Sequence, residues 1–95
     1  MKGSPYKLFV FVPEGKLFEE DIVLLNVKTQ DGSRGLMRGA GPIISKICAQ
    51  RLEYVNLRGE KEYIVCSDGL MKMDGDAVGI FLSNSSKFES SKSKR

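Results

Sequence analysis

The chain has no histidine and no tryptophan among its 95 residues, and only two cysteines and three prolines. Without histidine there is no Ser-His-Asp triad, no imidazole general base and no histidine ligand for zinc. Two cysteines make no zinc site by themselves; carboxylates or a second chain would have to complete it. No apolar run approaches the roughly 20 residues that a membrane helix needs, and runs such as Ile22–Leu25 are of strand size. Met1–Pro5 is too short and too polar for a secretory signal and lacks the Arg-rich pattern of an organelle presequence. A cytoplasmic protein that does not itself span a membrane is therefore expected.

What is present is the composition of one small soluble domain. Hydrophobic residues make up 41% and charged residues 28%, which argues against disorder over the whole length. A chain of this size buries roughly 60–65% of the surface its unfolded form exposes. Burial and ordering entropy then nearly cancel, so a partner surface is expected to add stability. The net charge of +3 is local. Lys87, Lys92, Lys94 and Arg95 crowd the last nine residues against Glu89, and the rest of the chain carries as many acids as bases. No clustered basic stripe with interleaved aromatics is evident, so nucleic acid is not an expected partner.

The punctuation is that of strands and tight turns. Lys7–Val12 is rich in β-branched and aromatic residues, and Val12-Pro13-Glu14-Gly15 carries a type I turn signature. Lys16–Glu20 and Asp21–Thr29 follow as strands. In the second, Val23, Leu25 and Val27 share one face, and Ile22, Leu24 and Asn26 the other. Asp31-Gly32 is a hairpin signal. Gly35–Pro42 holds too many glycines for a helix and reads as a corner, with Leu36 and Met37 plugging the core. Ser45–Leu52 fits a strand better than a helix. Arg51–Leu57, Glu62–Cys66, Leu70–Met73 and Ala77–Leu82 continue as strands, with turns at 58–60, 67–69 and 74–76. So many short strands predict an all-β fold, a sandwich or small barrel over residues 6–82. Residues 1–5 form an N-terminal extension. Ser83–Arg95, with Phe88 as its one large apolar side chain, reads as a flexible basic tail.

No motif here assembles chemistry. Cys48 and Cys66 lie in apolar surroundings and read as two buried free thiols. Asp74-Gly75-Asp76 opens like a calcium loop, but Val78 and Ser85 stand where the loop needs oxygen ligands. Gly35, Gly39 and Gly41 have neither the following Gly-Lys-Ser/Thr nor the helix of a phosphate loop. The acidic run Glu19-Glu20-Asp21 reads as a solvated strand end. Met71 and Met73 share a strand face as core or interface filler. No catalytic residue, metal site or cofactor is expected.

Three pieces in order carry a resemblance: Lys7–Phe18 (KLFVFVPEGKLF), Gly32–Pro42 (GSRGLMRGAGP) and Tyr63–Phe81 (YIVCSDGLMKMDGDAVGIF). Together they resemble the epsilon subunit of F-type rotary ATP synthases, over roughly residues 6–82. The resemblance implies a flattened, ten-stranded β-sandwich that is non-catalytic. It implies a rotor component that binds the gamma subunit, meets the alpha/beta hexamer through gamma and rests on a membrane ring, peripheral to the membrane. The family normally continues into a helical hairpin that restrains ATP hydrolysis in several bacteria. Ser83–Arg95 stands in its place, so that role is not expected. Within this frame Tyr54, Leu70, Met71 and Met73 are candidates for an outer, gamma-binding face. Asp31, Ser33, Arg34, Met37, Arg38 and Ala40 are candidates for the ring-facing loop. There Ser33 replaces an acid, and Arg34 and Arg38 add charge. Two added arginines oppose a basic ring loop and imply a divergent footing. The alternative from another class is a free-standing β-sandwich adaptor for a peptide or filament protein.

Overall fold

The computed structural model describes residues 4–29, 32–84 and 87–91. Period-two alternation builds the first strand, β1 (Tyr6–Val12): Tyr6, Leu8 and Val10 are buried, and Lys7, Phe9 and Phe11 point the other way. The remaining strands are β2 (Gly15–Thr29), β3 (Gly32–Leu36), β4 (Ile43–Ile47), β5 (Gln50–Asn56), β6 (Lys61–Cys66), β7 (Gly69–Met73), β8 (Ala77–Leu82) and β9 (Glu89–Ser90). The turns follow from side-chain chemistry. Asn56 Oδ1 accepts the backbone N–H groups of Arg58 and Glu60 at 2.9 and 3.0 Å, closing the β5–β6 turn. At the β3–β4 corner Gly41 has φ +108, and a Cβ there would lie 2.6 Å from the Met73 carbonyl oxygen. Only glycine fits both conditions.

All nine strands belong to one sheet, in the order β4-β7-β8-β1-β2-β5-β6-β9 with β3 beside β2. The sheet doubles over along β2. The first half of β2 pairs with β1, and its second half pairs with β5 on one side and β3 on the other. Two five-stranded layers result, β4-β7-β8-β1-β2 and β3-β2-β5-β6-β9. Nine strands thus make ten strand passages, because β2 is counted in both. The molecule is flattened, 36 × 32 × 23 Å. Both inner faces feed one core that includes Leu8, Ile22, Leu25, Leu52, Tyr54, Ile64, Met71, Met73 and Ile80. A hydrogen bond crosses between the layers: Tyr6 Oη donates to the Leu36 carbonyl at 2.6 Å.

Several expectations change. Lys16–Glu20 and Asp21–Thr29 are one strand, and its alternation is not strict. A register shift between Ile22 and Leu24 brings Ile22 and Leu25 to the same core, while Val23 and Leu24 are half-buried. Ser45–Leu52 is not a single strand: β4 ends at Ile47, β5 begins at Gln50, and Cys48 between them is exposed. Leu36 plugs the core as expected, but Met37 is exposed because the chain leaves the sheet there. The segment after Leu82 is not structureless throughout. Phe88 packs on Phe18 (ring centroids 5.7 Å apart), and Glu89–Ser90 pair with β6. Ser91 Oγ donates to Glu62 Oε1 at 2.7 Å and accepts the Tyr63 N–H at 3.1 Å. Asp31 lies outside the described residues, as do 1–3, 85–86 and 92–95.

Two predictions follow from this packing. Burial pushes the Tyr6 phenol up to about 12 and the Cys66 thiol up to about 11. Both groups hold their protons more tightly folded than unfolded. Their contribution is therefore complete below the ordinary values of 9.0 (thiol) and 10.0 (phenol) and is lost as the pH climbs toward 12. Urea unfolding should show stability falling by on the order of 2 kcal/mol for each of the two groups across that range, with a smaller total fall in Tyr6→Phe. The C-terminal clasp should also register in urea. Phe88→Ala is expected to cost about 1–2 kcal/mol. Ser91→Ala is expected to cost about 1 kcal/mol, since it strips a donor from the buried Glu62 carboxylate.

Candidate interaction surface

Strand register, not any single motif, assembles the most distinctive surface. On the outer face of the β4-β7-β8-β1-β2 layer one cross-strand row reads Lys46, Leu70, Phe81, Phe11, Lys16. The next row reads Ile44, Lys72, Gly79, Phe9, Glu19. Phe9 stacks on Phe11 with ring centroids 5.7 Å apart, and Phe11 on Phe81 at 5.2 Å. Gly79 leaves room for this ladder: a Cβ there would meet the Phe81 ring at 3.0 Å. Around the rings Ile44 is 67% exposed, Phe81 42% and Leu70 40%. Apolar side chains gathered on one outer face in this way make it the candidate interaction surface of the molecule.

The margin beside β2 is charged and internally paired. Lys7 Nζ lies 3.1 Å from Glu19 and 2.9 Å from Asp21. Lys16 pairs with Glu19, and its ammonium lies 5.9 Å from the centre of the Phe9 ring. Hydrogen bonds to Asp21 and Glu19 raise the Lys7 pKa, and Lys16 and then Lys7 lower that of Glu19. The acidic run at 19–21 is thus a paired border and not a bare anionic strip. The opposite outer face, on β3-β2-β5-β6-β9, is polar. It carries Asn26, Lys28, Arg51, Glu53 and Tyr63, with the Arg51 guanidinium 3.9 Å over the Tyr63 ring. Among the described residues no group of three His, Cys, Asp or Glu side chains is placed to hold a metal ion.

The structure divides the residues singled out from the sequence. Leu70 lies on the aromatic face. Tyr54, Met71 and Met73 do not: each is fully buried, because alternation turns it toward the core between the layers. Those three are corrected from docking surface to core. Phe9, Phe11, Phe81 and Ile44 were missed. The available signal was a strand apolar on both faces, since Leu8 and Val10 already fill the core side of Lys7–Val12. In the loop set, Ser33 and Arg34 are exposed on β3 and Met37 is exposed beyond it. Ala40 packs against the core, and Arg38 Nε lies 3.3 Å from Asp76 Oδ1. The Gly39 N–H donates to the Gly75 carbonyl at 2.7 Å, so this loop is tied to the β7–β8 turn.

Over residues 5–85 the chain matches the family model for the ATP synthase Delta/Epsilon chain, beta-sandwich domain. The chain belongs to that family. It is 33% identical over 76 residues to the ATP synthase epsilon chain of Mycoplasmopsis pulmonis, covering 78% of this chain and 53% of the relative. It is 28% identical over 86 residues to the epsilon chain of Bacillus thuringiensis, covering 88% and 61%. The chain therefore spans little more than half the length of these relatives. Among solved structures it is similar to a chain in the cryo-EM structure of the Euglena gracilis mitochondrial ATP synthase, OSCP/F1/c-ring in rotational state 1. That match has a TM-score of 0.77 and 17% identity, and covers 95% of this chain and 56% of the other. It is also similar to a chain of the Tetrahymena thermophila mitochondrial ATP synthase central stalk and c-ring, with a TM-score of 0.64 and 10% identity over 88% and 67%. At these identities the likeness is one of fold: an all-β sandwich without helices among the described residues, as this family's domain is described.

Core and surface should separate cleanly on substitution. Met71→Ala is expected to lower stability by about 2–4 kcal/mol. Phe81→Ser, on the outer face, should lower it by less than about 1 kcal/mol. Chemical denaturation of the two variants checks the assignment; equal losses would return Phe81 to the core.

Proposed function

We propose that this chain is the β-sandwich of a non-catalytic, epsilon-type rotor subunit, and that it grips a gamma-type shaft through the outer face around Phe9, Phe11, Leu70 and Phe81. The observation that carries this is the continuous, stacked aromatic ladder on a sheet whose opposite face is already filled by core. Membership of the ATP synthase delta/epsilon family supplies the context. Covering each ring would contribute about 2 kcal/mol before the costs of association. The rings sit on a hydrogen-bonded sheet, so force on the face passes to backbone ladders in both layers and not to a loop. In this reading the chain acts in the cytoplasm, peripheral to the membrane, meets the alpha/beta hexamer through gamma, and presents the Ser33–Arg34 end toward a ring or other footing.

The test is co-expression of the full chain with gamma-type, alpha-type and beta-type chains, followed by size-exclusion chromatography. The chain is expected to elute with the shaft subunit, and Phe11→Asp combined with Phe81→Asp should leave a folded chain that elutes alone. If the native chain remains a free monomer beside an assembled hexamer and shaft, the rotor reading fails and a free-standing adaptor replaces it.

A further inference from the structure

Gly79 lies in the interior of β8 without a backbone reason to be glycine. Its φ is not positive, and the β7–β8 and β1–β8 registers run through it without a bulge. Glycine weakens a strand interior, and where neither bulge nor bend requires it, it marks a place that something else approaches closely. The aromatic ladder alone does not require it either. A Cβ would meet only the far edge of the Phe81 ring, at 3.0 and 3.2 Å, and the Phe11 ring at 3.8 Å. A ring edge can swing aside to admit a methyl group.

The missing side chain leaves a notch of about 210 Å³ in the outer face. Alternation builds it. Val78, Ile80 and Leu82 turn to the core, so β8 shows only Ala77, Gly79 and Phe81 outside. The register sets Gly79 between Lys72 of β7 and Phe9 of β1. The two small residues form the floor and the stacked phenylalanine rings the walls, with Lys72 and Asp74 at the rim. The Asp74 N–H donates to the Ala77 carbonyl at 3.2 Å and fixes the rim turn.

The chemistry of this lining selects the occupant. An apolar cavity of about 150 Å³ holds a benzene-sized molecule, so the notch has room for one side chain. Its rim carries one cation and one carboxylate, and so offers an ion no net charge to pair with. A charged group entering would lose water to three rings without a net counter-charge. A neutral apolar side chain gains by covering the same rings. Anchors seated in such pockets carry much of the energy of protein interfaces.

We propose that the notch over Gly79 receives one apolar side chain of leucine or methionine size from the partner that covers this face, and that Gly79 sets this specificity. The proposal rests on the shaft-binding reading and adds to it the class of residue that the shaft presents.

The experiment has two arms. In the first, NMR shifts of the full chain are followed with N-acetyl-leucine methylamide, and separately with its lysine and aspartate analogues. Amide shifts are expected at Ala77, Gly79 and Lys72 with the leucine probe alone, and Gly79→Val should abolish them. In the second, affinity for the gamma-type chain is measured. Gly79→Val should weaken it about tenfold, Gly79→Ala by less, and Ile44→Ala, on the same face outside the notch, should leave it nearly unchanged. Valine favours a strand, so urea unfolding should show the fold kept in the glycine variants. Larger shifts with a charged probe, no shift at Gly79 with the leucine probe, or a Gly79→Val chain that holds the shaft as tightly as the native one would each overturn the proposal. If the native chain does not hold the shaft yet the leucine probe shifts Gly79, the shaft reading fails and the notch stands as the anchor site for another partner.

Discussion

One strand serving two layers is the constraint on which the rest of this structure depends. If β2 kept strict alternation past Ile22, Leu25 and Val27 would turn to solvent, because a slip of one residue exchanges the two faces of a strand. The irregularity between Ile22 and Leu24 absorbs that residue and lets β2 bend from one layer into the other with its apolar side inward in both. The Tyr6–Leu36 hydrogen bond then spans the fold where β1 of one layer meets β3 of the other. Ile22, Leu25, Tyr6 and Leu36 are all buried at this junction. A polar or small replacement there would open both layers at once.

With the inner faces committed to one core, the outer faces are free to differ, and they do. One presents Phe9, Phe11 and Phe81 with Leu70 and Ile44; the other presents lysine, arginine, asparagine and glutamate. Parallel pairing of β1 with β8 is what joins the aromatic set. Phe11 and Phe81 are distant in sequence, and only the Phe11–Phe81 register brings their rings together. The chemistry of each face thus follows from topology and not from local sequence.

That division also sets what a linear reading can recover. Alternation in Arg51–Leu57 and the turn residues around Gly59 and Gly75 gave the strands and hairpins directly, since both are short-range effects. The bend in β2 was not visible, because nothing in Asp21–Thr29 marks the residue that breaks the alternation; the pairing of two different neighbours imposes it. Tyr54, Met71 and Met73 went to the wrong side for a related reason. Period two says that residues share a face without saying which face is inward, and on β7 the inward choice is fixed by the β4 and β8 partners. The C-terminal segment defeated composition-based reasoning because a single phenylalanine and one serine hydroxyl suffice to dock it once an edge strand and the buried Glu62 are in place.

Exposing aromatic rings on a sheet invites self-association, and the edges show how this fold limits it. Open sheet edges are templates for adding foreign strands. The path of the sheet ends at β4 and at β9. On β4 the five-residue strand carries the exposed Lys46, and β9 is two residues long with an exposed glutamate. Short and charged edges of this kind discourage strand addition. On the face itself Lys46 and Lys16 close the ends of one row and Lys72 breaks the other, so charge limits the apolar area open to a second copy. A partner with acidic groups around an apolar centre meets no such limit. In the shaft-binding reading, the same lysines also limit what may cover the face.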